Sequence, residues 1–226
     1  MSSKGMAKSR ERLVAGVLRF QQEVYPQMQT TYQRLVQEGQ KPHALFITCA
    51  DSRVDPELIT QSGPGEIFVS RNVGNLVPPY GEPAGGMSAI VEYAIAALRV
   101  SHVVICGHTD CGAMIGLLHP EKIKGLPGVT SWLHNGEAGL SIVRNRKTAR
   151  NERSALEVLI EENVLQQLRH LRTYPCIAGR LAEEAITLSG WVYDIGHGII
   201  RIYDEEQRRF LPPTTARRMT SGAAGK

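Results

Sequence analysis

Two apolar runs, each closed by a short turn carrying cysteine or histidine, constrain this chain more than any other feature. Ala44-Leu45-Phe46-Ile47-Thr48 ends in Cys49-Ala50-Asp51-Ser52-Arg53, and Val103-Val104-Ile105-Cys106 ends in Gly107-His108-Thr109-Asp110-Cys111-Gly112. Short apolar runs rich in β-branched residues and bounded by turn signals read as strands buried on both faces. If the two are parallel neighbours, both motifs emerge at one carboxyl edge, where open α/β sheets place their sites. Cys49, His108 and Cys111 can then converge on one ion. Two thiolates and an imidazole suit tetrahedral Zn²⁺, and three protein ligands with an open fourth position are the pattern of a catalytic site.

The rest of the chain alternates strand and helix, as a mostly parallel α/β sheet requires. Residues 9–38 have helical spacing through Leu13, Val14, Val17 and Leu18, with Tyr25-Pro26 expected to break the helix before a second one through Tyr32 and Leu35. A short helix is expected over residues 57–60, a strand over 67–70 and a helix over 87–98. A polar connection passes through residues 122–128. Residues 152–171 carry Leu156, Leu159, Ile160, Val164, Leu165 and Leu168 on one helical face, which reads as core packing. Two final strands follow over residues 186–195 and 198–203. The reading is one domain over residues 1–226, with flexible tails at 1–8 and 213–226.

At these residues the chain resembles the β-class carbonic anhydrases. The pair C-x-D-S-R and H-x-x-C-G is similar to that family's ligand motifs. So are Pro64-Gly65-Glu66-Ile67-Phe68-Val69-Ser70-Arg71-Asn72-Val73-Gly74-Asn75, the run from Gly85 to Ala94, and Gly190-Trp191-Val192-Tyr193-Asp194-Ile195. The similarity spans roughly residues 10–212. It implies one Zn²⁺ per chain on Cys49, His108 and Cys111, and reversible hydration of CO₂ to bicarbonate and a proton by a zinc-bound hydroxide. It also implies a central, mostly parallel sheet flanked by helices, and an N-terminal helical arm that packs on a partner subunit, giving a homodimer or a higher even homo-oligomer.

The chemistry assigns roles within the motif. Asp51 accepts a hydrogen bond from the attacking group and orients it, and Arg53 keeps Asp51 ionised through a bidentate pair. The family offers Asp51 a rival role as a fourth zinc ligand. Two thiolates cancel the formal charge of Zn²⁺, so activity is expected to rise towards alkaline pH. The resemblance places Phe68, Val73 and Tyr93 in an apolar pocket wall, Gly112 as a backbone donor, and Gln40 in the partner's site, as in plant-type members. Phe46 stands where another subtype has a tryptophan, and Ala97 where some plant-type relatives have a shuttle histidine.

Other readings remain open at this point. Relatives on the same scaffold hydrolyse carbonyl sulfide or carbon disulfide, and a non-catalytic zinc-stabilised interaction protein is a third class. Residues Val54 to Thr60 are also similar to cyanate-associated bacterial members. Net charge is +4 with basic residues dispersed among acidic ones. The densest basic stretch (Arg144, Arg146, Lys147, Arg150, Arg153) therefore reads as a solvated helix or loop, and no nucleic-acid partner is expected. No apolar run is long enough for a bilayer and no signal-peptide pattern opens the chain, so a cytoplasmic location is expected. Two cysteines used as thiolates fit a reducing compartment. Cys106 reads as a buried small hydrophobe and Cys176 as a turn residue. The remaining histidines read as surface or cap positions.

Overall fold

The computed structural model describes residues 3–81, 85–145 and 152–213. They group into two compact units, Met1–Lys41 and Pro42–Lys226.

The first unit is helical: α1 (Ser3–Arg19), a π turn (Phe20–Val24) and α2 (Tyr25–Glu38). Pro26 does not break the helix as its sequence suggested. Proline lacks an N–H and clashes with the carbonyl four residues back. The π turn absorbs both problems by widening the coil one residue early, so that the Tyr25 N–H reaches the Phe20 carbonyl. Stacking of Tyr25 on Tyr32, with ring centroids 5.7 Å apart, supports the next turn. Gly39, in the left-handed region at φ 77°, ends α2. Helix α1 starts at Ser3, within the stretch expected as the N-terminal tail. The tail expected at 213–226 lies almost wholly outside the described residues.

The second unit is built on a six-stranded sheet of order β2-β1-β3-β4-β5-β6: β1 Ala44–Cys49, β2 Ile67–Asn72, β3 His102–His108, β4 Thr187–Asp194, β5 Ile199–Asp204 and β6 Arg209–Leu211. The first four strands are mutually parallel, and β5 and β6 add an antiparallel edge. The sheet is mostly parallel, as the sequence implied. Every residue of β1 is buried, which is why that strand reads as continuous rather than alternating hydrophobicity. Leu45 and Ile47 face the main core with Val103 and Ile105. Phe46, Val104 and Cys106 form a smaller cluster on the opposite face.

The main core is closed by α8 (Glu152–Arg172), whose Leu159, Ile160, Val164 and Leu168 are buried as the helical spacing predicted. Val164 sits in a notch made by two strand glycines. A Cβ on Gly107 would stand 2.8 Å from Val164 Cγ2, and one on Gly190 would stand 2.7 Å from Val164 Cγ1. The absence of two side chains thus lets α8 approach β3 and β4 closely.

Four short helices join these elements: α3 (Pro56–Thr60), capped by the Asp55 carboxylate on the Leu58 N–H, α4 (Gly86–Glu92), which continues as a π turn (Tyr93–Ala97), α5 (Gly112–Leu118) and α6 (Pro127–Leu133). Helices α7 (Glu137–Asn145) and α9 (Pro175–Ala182) complete the set. The supposed polar connection at 122–128 is instead a 3₁₀ turn (Pro120–Ile123) leading to α6. Cys176 lies in the first turn of α9, half-buried, and not in a loop. His102 and His170 are also not surface or cap residues. Both are partly buried, His102 bonded to Thr187 and Ser189, and His170 to the Val77 carbonyl. Of the basic stretch, Arg144 lies in the last turn of α7 and Arg153 in the first turn of α8, whereas Arg146, Lys147 and Arg150 fall outside the described residues.

Candidate metal centre

The chain leaves β1 for β2 on one side and returns to β3 on the other, so strand order reverses between β1 and β3. The crevice at their carboxyl ends is the ligand position of open α/β sheets. Cys49 is the last residue of β1, His108 the last of β3, and Cys111 caps α5 three residues on. Their Sγ, nitrogen and Sγ atoms lie within 4.8 Å of one another, and all three residues are buried. The αL conformation of Asp110 (φ 55°) turns the chain sharply enough for His108 and Cys111 to face the same point.

The donor chemistry fits a divalent metal. His108 Nδ1 lies 2.8 Å from the Thr109 carbonyl and must donate to it, which leaves Nε2 as a bare lone pair. That Nε2 is buried with no hydrogen-bond partner, a costly arrangement unless an ion takes it. The Cys49 thiol is pushed down, chiefly by a hydrogen bond from Cys111 and further by the Gly74 N–H. Cys111 moves the other way, because it shares its proton with the Cys49 sulfur and is buried beside that charge. Two sulfurs this close favour a single negative charge between them unless a cation offsets the second. The Ala113 and Met114 amides at the start of α5 favour the Cys111 thiolate. Two sulfurs and one imidazole nitrogen form a soft donor set of the kind that zinc sites use.

Asp51 stands at the side of this cluster, its Oδ2 4.0 Å from His108 Nε2. Arg53 grips it at two points, Nε to Oδ1 at 2.9 Å and Nη2 to Oδ2 at 2.8 Å, while the Arg53 backbone N–H takes Oδ1 as well. These bonds hold the carboxyl well below the usual carboxylate range. Arg53 Nη2 also reaches the Asp110 carbonyl, tying the two motifs together.

Phe68 and Tyr93 meet with ring centroids 5.9 Å apart, and Val73 and Tyr93 are each about half exposed. Gly112 is exposed at the start of α5. Gln40 is an exposed residue of the helical unit, just past Gly39.

The sequence reading missed three neighbours. Arg71 bonds the Cys49 carbonyl through Nε and the Asp51 carbonyl through Nη2. The Gly74 N–H points at Cys49 Sγ, 3.4 Å away. Trp132 Nε1 holds the Val73 carbonyl at 2.8 Å. The first two were accessible in principle: β2 pairs in parallel with β1, so Asn72 lies level with Cys49 and its neighbours must flank the site. Trp132 carried no such signal.

Comparison with known proteins agrees with this geometry. A family model described as carbonic anhydrase matches residues 44–200. A carbonic anhydrase of Pseudomonas aeruginosa is 47% identical over 199 residues, covering 88% of this chain and 90% of that protein. One from Synechococcus elongatus is 44% identical over 188 residues, covering 83% of this chain and 69% of its own length. Among solved structures, the β-carbonic anhydrase CcaA superposes with a TM-score of 0.88 at 40% identity, covering 91% of this chain and 92% of its own. A structure from work on two tetrameric β-carbonic anhydrases of the filamentous ascomycete Sordaria macrospora gives 0.66 at 29% identity, with 88% and 96% covered.

Proposed function

This chain belongs to the β-carbonic anhydrase family, and we propose that it carries out reversible hydration of CO₂ to bicarbonate and a proton with one Zn²⁺ held by Cys49, His108 and Cys111. The observation that carries this reading is the buried, unpartnered His108 Nε2 facing two thiols at the crevice where strand order reverses. Zinc bound there supplies a Lewis acid that lowers the pKa of water enough for attack on CO₂; two thiolate ligands moderate the effect, so activity rises towards alkaline pH.

The remaining work falls to the protein's own groups. Asp51, kept ionised by Arg53, accepts a hydrogen bond from the attacking water at Oδ2 and aims its lone pair. Arg53 makes this a fixed acceptor, since its two-point grip leaves the carboxylate no free rotation. Arg71 clamps the backbone of Cys49 and Asp51 from the β2 side. Phe68, Tyr93 and Val73 offer an apolar wall suited to a neutral, weakly polar molecule. The Gly112 N–H serves as a donor to the developing bicarbonate.

The helical unit exposes Leu13, Val14, Val17 and Leu18 along α1. An apolar stripe of this kind calls for a partner, and we assign it to a second copy in a homodimer or higher even assembly, with Gln40 serving the partner's pocket. Among the described residues no helix is long and apolar enough to cross a membrane. The dependence on free thiols favours the cytoplasm.

Steady-state turnover of CO₂ and of carbonyl sulfide, compared on the zinc-loaded protein, tests the assignment. Hydration of CO₂ should exceed hydrolysis of carbonyl sulfide by orders of magnitude. A preference for carbonyl sulfide would move the chain to the hydrolase reading, and zinc without either activity would leave a structural metal.

A further inference from the structure

The irregular segment after β2 carries the Gly74 N–H that faces Cys49, and an unusual number of its main-chain groups are bonded to side chains of the second unit. Asn163 Nδ2 donates to the Gly74 carbonyl at 3.0 Å, and Gln167 Oε1 accepts from the Val77 N–H at 2.8 Å. His170 Nδ1 takes the Val77 carbonyl, Tyr174 Oη the Pro78 carbonyl, and Thr173 Oγ1 the Tyr80 N–H. Asn163 and Gln167 sit one turn apart on α8 and are joined to each other, Gln167 Nε2 donating to Asn163 Oδ1 at 2.9 Å. Both are essentially inaccessible, at 1% and 0% exposure. Buried amides cost free energy unless fully bonded. Here every bond they make goes to each other, to this segment, to His170 or to the Asn135 carbonyl.

We infer that Asn163 and Gln167 are positioning residues for the metal centre, acting through the backbone on either side of the Gly74 Cα. Gly74 lies between two fixed points, its N–H on Cys49 Sγ and its carbonyl on Asn163. Its backbone is left-handed at φ 83°, and a Cβ there would stand 2.9 Å from Ala113 Cβ. The residue must therefore be glycine, and nothing in its own side chain can hold the peptide in place. The hold comes from both sides: Trp132 takes the Val73 carbonyl of the peptide that carries the Gly74 N–H, while on α8 Gln167 fixes the Asn163 amide and Asn163 fixes the carbonyl of the next peptide, so that the Gly74 backbone is pinned between them with its N–H on the sulfur. An N–H bonded to a thiolate ligand withdraws electron density from it and locks its direction, the role that outer partners play at metal sites.

This inference rests on the reading that Cys49 is a metal ligand. The test substitutes Co²⁺ for the native metal in the parent and in Asn163→Asp, which keeps shape and the acceptor for Gln167 but removes the donor to Gly74. Affinity is read by chelator competition, and the sulfur–cobalt charge-transfer bands by absorption. The parent should bind one Co²⁺ per chain with intense thiolate bands. The variant should bind it about 10–100-fold more weakly, with the bands shifted. Parental affinity and parental bands in a folded Asn163→Asp overturn the inference while leaving the metal site intact. A parent that binds no Co²⁺ overturns the metal reading itself, and this inference with it. Should Asn163→Asp not fold, Gln167→Glu, which removes the amide bracing Asn163, carries the same expectation of shifted bands and weakened binding, and parental behaviour there overturns it equally.

Discussion

Placing a methyl group on Gly107 should destabilise this protein in a way that shaving Val164 repairs. The new Cβ would lie 2.8 Å from Val164 Cγ2 and 3.2 Å from Ile160 Cγ2, well inside the roughly 3.5–4.0 Å optimum for carbon pairs. Relieving such an overlap in a packed core costs about 1–3 kcal/mol. Gly107 does not have a positive φ, so alanine fits its backbone and regains about 0.4–1 kcal/mol through the unfolded chain. The net loss for Gly107→Ala is then roughly 0–2.6 kcal/mol. For a chain of this size that lowers the melting temperature by up to about 10 °C, at 2–4 °C per kcal/mol. Val164→Ala alone removes two buried methyls, at about 0.8 kcal/mol each plus a cavity term. In the double variant the alanine methyl enters the space that Val164 Cγ2 vacates, so the losses should fall short of their sum by about 0.5–3 kcal/mol. Urea unfolding of the metal-free proteins at one fixed concentration gives the cycle, since bound metal or altered association would add its own stabilisation. Because His108 follows Gly107 directly, metal affinity should fall in Gly107→Ala and return in the double variant. Additivity within about 0.5 kcal/mol would refute the close approach of α8 to β3.

Two further outcomes can be checked separately. Asp51→Asn keeps the shape but loses the charge that Arg53 grips; zinc content should stay at one per chain while kcat falls about 10²–10⁴-fold, the range for a lost proton-handling group, and loss of zinc instead would make Asp51 a ligand. Asp194 is held below its ordinary pKa, first by the His197 side chain and then by the Gly196 and His197 amides. A depressed carboxyl contributes stability above its unfolded pKa of about 4, lost as pH falls through the folded value. Carboxyl NMR of His197→Ala should therefore show Asp194 titrating nearer pH 4, and an unmoved titration would assign the shift to the turn amides alone.

How much could be read without coordinates follows from where each signal lives. Strands β1 and β3 were legible because burial on both faces leaves no polar alternation to confuse them. Their terminal motifs were legible because Cys49, Asp51, Arg53, His108 and Cys111 all lie within a few residues of a strand end. Helix α8 showed its apolar face, but Asn163 and Gln167 are polar side chains buried by the packing of α8, and nothing local distinguishes them from solvent-facing amides. The Gly107–Gly190 notch exists only once α8 is docked, so either glycine alone reads as a weak strand residue. Pro26 misled because a π turn, which has no clear sequence signature, lets the helix pass. Helices α6, α7 and α9 are under ten residues each, too short for helical periodicity to emerge. Strand β6, three residues long, depends on its pairing with β5.

The most direct test of the account is metal analysis joined to stopped-flow CO₂ hydration, comparing the parent with Cys49→Ala from neutral to alkaline pH. The parent should carry one zinc per chain and hydrate CO₂ at a rate that climbs with pH, and the variant should lose both. A Cys49→Ala protein that still hydrates CO₂, or a fully zinc-loaded parent that does so at no pH in that range, would contradict it.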